Sequence, residues 1–60
     1  MKLLWFVQIS EPQKQTWYVA ADTAAEAIAK LGGLPPETIL TRIERVATTT
    51  TDGVWRVLDA

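Results

Sequence analysis

No disulfide and no thiolate or imidazole metal site can staple this chain, because its 60 residues include neither a cysteine nor a histidine. Disulfides, thiolate ligands and the commonest metal ligand are therefore all missing. A domain of this length buries only about 60% of the surface its unfolded chain exposes, so its stability is small unless something supplements the core. Self-association or a partner chain is the supplement that remains. Residues 1–60 are expected to form one small domain.

Alternation organises the first third of the chain. Leu3, Trp5, Val7 and Ile9 alternate with Leu4, Phe6 and Gln8, which is strand periodicity with both faces apolar near the start. Such a strand belongs at the centre of a sheet or under cover on both sides. A polar connection containing Ser10, Glu11, Pro12, Gln13 and Lys14 leads to a second strand at Thr16 to Ala21, rich in aromatic and β-branched residues. The two should form a hairpin. Placing Ile9 opposite Trp17, Val7 opposite Val19 and Trp5 opposite Ala21 gathers the apolar side chains on one face. Leu4, Phe6, Gln8, Thr16, Tyr18 and Ala20 then share the other. The opening run from Met1 to Val7 is read as this strand rather than as a processed leader, since it stops at Gln8 with no small-residue cleavage site behind it. It is also too short for a membrane span.

The helix has explicit boundaries. Thr23-Ala24-Ala25-Glu26 fits a capping box, and Asp22 adds favourable negative charge at the same end. Ala24, Ala27, Ile28 and Leu31 follow helical spacing, while Glu26 and Lys30 make an exposed i to i+4 pair. Gly32-Gly33 stops the helix. Its stripe is mostly alanine, so it can lie close to a sheet but brings few large side chains. Leu34-Pro35-Pro36-Glu37 follows as a stiff crossing segment, with a turn expected at Pro36.

Ile39 to Thr49 favours strand, and Asp52-Gly53 before Val54-Trp55-Arg56-Val57-Leu58 carries the strongest short hairpin signal in the chain. A second hairpin is expected, pairing Thr51 with Val54, Thr49 with Arg56 and Ala47 with Leu58. Trp55 and Val57 would then share a face with Thr48 and Val46. Ile39 and Ile43 fall on one parity and Leu40 and Val46 on the other, which calls for a bulge between Arg42 and Val46. The fold class is α+β, ββαββ, a mainly antiparallel four-stranded sheet packed by one helix. Strand order stays open.

Chemistry is sparse in this composition. Glu37, Glu44, Asp52 and Asp59 show no spacing that brings two carboxylates together. Ser10, the threonines and the lysines have no evident activating partner. The glycines form no phosphate loop. No enzyme activity, cofactor or metal site is expected. Six Lys and Arg against seven Asp and Glu leave no strong attraction to nucleic acid or anionic lipid. The lack of cysteine suits a cytoplasmic protein.

Aromatic residues are the richer clue. Trp5, Trp17 and Trp55 can serve a core or anchor an interface. Phe6 and Tyr18 fall on the sheet face turned away from the first cluster, and a single helix cannot cover both faces. Phe6, Tyr18 and Trp55 are accordingly the expected partner-binding residues. The leading expectation is a noncatalytic protein-binding module, homodimeric, acting by docking or by occluding a surface, as a small inhibitor from a phage or mobile element would. The competing class is a nucleotide or single-stranded nucleic-acid binder that stacks bases on these aromatics and uses Arg42, Arg45 and Arg56. A structural subunit is the third.

Overall fold

A computed structural model describes residues 1–11, 13–32 and 34–57. The chain runs β1 (Lys2–Glu11), β2 (Gln15–Ala21), α1 (Ala24–Lys30), β3 (Ile39–Thr49) and β4 (Val54–Val57). One four-stranded antiparallel sheet in the order β3-β1-β2-β4, with one helix, makes this the α+β ββαββ fold. The strand with two apolar faces, β1, lies between two others, as its composition requires.

The first hairpin forms in a tighter register than expected. Ile9 stands opposite Gln15, Val7 opposite Trp17, Trp5 opposite Val19 and Leu3 opposite Ala21. The slip from the expected pairing is two residues, so side-chain parity survives and both faces keep their membership. Leu3, Trp5, Val7, Ile9, Trp17, Val19 and Ala21 share one side; Leu4, Phe6, Gln8, Thr16, Tyr18 and Ala20 share the other.

The second hairpin does not form. β3 pairs with β1 and β4 pairs with β2, at opposite edges of the sheet. The pairs Thr51 with Val54 and Thr49 with Arg56 are therefore absent, while Leu58 lies outside the described residues. Trp55 stands beside Tyr18 and Val57 beside Thr16, not beside Thr48 and Val46. Stacking β3 and β4 together would leave one edge of the apolar first hairpin bare; splitting them covers both edges. The connection crosses the end of the sheet and is fastened there. The Gly53 carbonyl accepts from the Ala20 N–H at 3.0 Å, and Lys30 Nζ donates to Asp52 Oδ1 at 2.9 Å and to the Ala20 carbonyl at 2.7 Å. Gly53 has φ +154°, a backbone conformation that favours glycine, and the Trp55 indole lies 3.1 Å from where its Cβ would be, so any larger residue would also have to displace that ring slightly.

Pairing of β1 with β3 shifts register where Val46 is extra, at the end of the interval expected to hold a bulge, and again where Thr41 is extra. The segment Arg42–Arg45 between them is regular. Around the helix, Thr23 Oγ1 accepts from the Glu26 N–H at 3.1 Å. The Glu26 carboxylate reaches back to the Asp22 N–H, one residue beyond the box position. At the other end Gly32 has φ +86° and donates to the Ala29 carbonyl; Gly33 lies outside the described residues. The expected turn at Pro36 is present, closed by the Thr38 N–H donating to the Pro35 carbonyl.

The helix packs on the Val7 side of the sheet. Val7, Ile9, Val19, Ala21 and Ala27 form the core cluster, with Trp5, Trp17, Leu31, Leu34 and Ile43 half-buried around it. Trp5 Nε1 donates to the Ala21 carbonyl, satisfying the indole as it is covered. Among the described residues, Ile9, Val7 and Val19 are the large side chains that are fully buried, each contributing about 1.5–3 kcal/mol. The core is thin, and the opposite face of the sheet has no described element against it.

Candidate functional site

Residues directly opposed in an antiparallel sheet project from the same face, which places the three expected partner-binding residues side by side. Phe6 on β1 opposes Tyr18 on β2, and Tyr18 opposes Trp55 on β4. They form a row across three adjacent strands of the uncovered face. The Phe6 and Tyr18 rings meet edge to face, with centroids 5.6 Å apart, a favoured aromatic geometry. Trp55 is 40% exposed and rests on the backbone of Gly53. Its place in the row is set by the pairing of β4 with β2.

Polar groups frame this row on the β3 side. Glu44 opposes Phe6 and Arg42 opposes Gln8. The two charges are joined at 3.0 Å, and the Arg42 guanidinium lies 5.8 Å from the Phe6 ring centre, within reach of a cation–π contact. Val57 and Thr16 continue the face below Trp55 and Tyr18, and Leu4 and Ala20 above. Ala20 is the only one of these residues that is fully buried. The surface is an aromatic row with apolar and threonine neighbours along its strands and a charged border on the β3 side.

The three arginines of the competing reading do not converge. Arg42 is on the aromatic face. Arg45 opposes Trp5 on the helix side of β3. Arg56 opposes Trp17 on the helix side of β4, with its guanidinium 5.9 Å from the Trp17 ring. Two of the three thus lie on the opposite face at opposite edges of the sheet.

Catalytic geometry is equally thin. Glu44 is engaged with Arg42 and Asp52 with Lys30, Glu37 is exposed on the loop after Pro36, and Asp59 lies outside the described residues. Hydrogen bonding to Lys30, then the charge of that ammonium, holds the Asp52 carboxyl below the usual carboxylate range. Hydrogen bonding to Asp52 in turn raises Lys30. This is the chemistry of a latch between helix and crossover. Among the described residues no cluster of three or more acidic side chains is placed to hold a metal, and no helix is long and apolar enough to cross a membrane. A shallow hollow lined by Leu3, Arg45, Val46, Ala47 and Thr48 lies at the β3 edge, away from the aromatic row.

Two features escaped sequence reasoning. The Arg42–Glu44 pair was legible in principle, since residues two apart on a regular strand share a face. Lys30 with Asp52 had no local signal, being 22 residues apart. The chain matches no protein-family model, no curated protein sequence and no solved structure at a significant level.

Proposed function

We propose that this protein is a noncatalytic protein-binding module, homodimeric, which docks through the uncovered face of its sheet. The observation that carries the reading is the Phe6–Tyr18–Trp55 row across three strands, with no described element over it. Large aromatic side chains grouped on one surface are the usual anchors of protein interfaces. The molecule measures 32 by 27 Å in its two longer dimensions, so one face offers on the order of 800 Å², the area each partner buries in a standard interface. Occluding or tethering a larger protein needs only such a surface, which suits a chain without evident catalytic groups. A phage- or mobile-element-type inhibitor is one setting in which it would serve.

Base stacking on the same aromatics has less support. A single-stranded nucleic-acid platform needs a positive groove to follow the phosphates, whereas Arg42 is neutralised by Glu44 and the other two arginines face away.

A paired capture tests the reading. Wild-type protein and Tyr18→Asp, both confirmed folded by circular dichroism, are immobilised and exposed to extract of the producing cell. Proteins held by the wild type and lost by the variant are expected; identical retention by both would refute docking through this face.

A further inference from the structure

We propose that two copies of this chain join through their β3 edges, Arg42–Glu44 against Arg42–Glu44, into one continuous eight-stranded sheet. The inference rests on the homodimeric reading above and specifies where the second copy sits.

β3 is an eleven-residue edge strand whose outer side pairs with no described strand, with Ile39, Leu40 and Val46 exposed along it. A long edge carrying unpaired N–H and C=O groups is a template for another strand. Shifts at Thr41 and Val46 bend both ends and leave Arg42–Arg45 regular, so the available pairing is short and centred there. An antiparallel pairing of two identical strands has its two-fold axis perpendicular to the sheet. Each residue then meets one of equal parity on the same face, which leaves few registers.

Charge chooses among them. Centred on Arg42, the register sets arginine against arginine and Leu40 against Glu44. Centred on Glu44, it sets glutamate against glutamate and Ile43 against Arg45. Like charges directly opposed are unfavourable in either case. Centred on Ile43, it places Arg42 opposite Glu44 of the second copy and Glu44 opposite Arg42. Ile43, already packed at the edge of the core, then meets its own counterpart on the helix side. The charges already pair within one chain at 3.0 Å and are solvent-exposed, so exchanging partners adds little affinity. Their effect is to select one register and reject its neighbours.

The consequences are geometric. Pairing like edge with like edge closes on itself, so a dimer forms rather than a filament. Both helices lie on one side of the joined sheet. Both Phe6–Tyr18–Trp55 rows lie on the other, where two docking faces become one bivalent surface. At the other edge of the sheet, four residues of β4, Val54–Val57, are described.

Charge reversal tests this by solution mass. Arg42→Glu and Glu44→Arg each place like charges opposite one another in the Ile43-centred register. Each variant alone is expected to fall from twice the chain mass to 6.7 kDa in light scattering across a concentration series, with its circular dichroism unchanged. Mixed one to one, the two variants become complementary, and the dimer mass is expected to return. If either single variant fails to fold, the double exchange Arg42→Glu with Glu44→Arg keeps the complementarity and is expected to be dimeric. A folded double variant that is monomeric overturns the inference. So does a single variant that remains dimeric, or a mixture that stays monomeric. A wild type that is monomeric at all concentrations also overturns it while leaving docking by the aromatic face standing, because that is read separately by capture. If Tyr18→Asp abolishes the dimer and charge reversal does not, the second copy sits on the aromatic face and the edge pairing is wrong.

Discussion

Val7→Ala should remove a large share of the stability of this protein. Val7 is fully buried at the middle of the central strand, with Trp17 opposite on β2 and Ile43 opposite on β3. Deleting two buried methyl groups loses about 1.6 kcal/mol of transfer free energy. The cavity left between two neighbouring strands that cannot close independently adds up to about 1 kcal/mol, for a total of about 2–2.5 kcal/mol. Against that, a chain of 60 residues has only about 3–9 kcal/mol of folding free energy in all. Few substitutes exist, since among the described residues three of the six that are fully buried are alanines. Urea unfolding followed by tryptophan fluorescence measures the loss. With a slope near 1 kcal/mol per molar for so small a protein, the midpoint should fall by about 2 M. Protein concentration is held fixed, so that any association would add equally to the stability of both proteins. A midpoint shift under about 0.5 M at unchanged slope would show that Val7 is not at the centre of the core, and the assignment of faces would fall with it.

Thr23→Ala should cost about 1 kcal/mol through loss of the cap on the helix, read as a lower melting temperature with the solution mass unchanged; an unaltered melting temperature would contradict the capping bond. The Lys30–Asp52 latch should open at both pH extremes. Asp52 is depressed in the folded state, so its contribution is present above the unfolded value near about 4 and is lost as pH falls through the lower folded value. Lys30 is raised, so its contribution is complete below about 10.4 and is lost as pH rises through the higher folded value. Hydrogen exchange at the Ala20 amide, which donates to Gly53, should lose protection in acid before the amide of Val7 does. Equal protection of both amides down to the acid unfolding limit would remove the latch from the account.

Side-chain parity in this sheet is legible in the sequence, whereas register and strand order are not. Alternation in Leu3 to Ile9 and Thr16 to Ala21 separated Val7 from Phe6, and that division survived a two-residue error in register because strand periodicity is two. Phe6 and Tyr18 could be assigned to one face on the same ground. The helix boundaries were legible because Thr23, Glu26 and Gly32 act on backbone groups within a few residues. Trp55 joined the row for a reason the sequence did not contain. The expected hairpin set it beside Thr48 and Val46, whereas β4 pairs with β2 and brings it to Tyr18.

Strand order belongs to the tertiary structure. Asp52-Gly53 between two β-favouring runs carries the same local signal whether the chain turns back on β3 or crosses to the far edge. The choice rests on non-local terms: two open edges of an apolar hairpin to be covered, a carbonyl at Gly53 for the Ala20 N–H, and a lysine on the helix to hold Asp52. The same step decided the fate of the arginines. Local composition grouped Arg42, Arg45 and Arg56, but alternation separated Arg42 from Arg45, and the crossover carried Arg56 to the opposite edge. Neighbours along the chain set the strands, the capped helix and the two faces of the first hairpin. Which strands lie together, and hence which aromatics share a surface, is a tertiary property, because backbone hydrogen bonds between strands are alike in every order and burial and closure alone distinguish them.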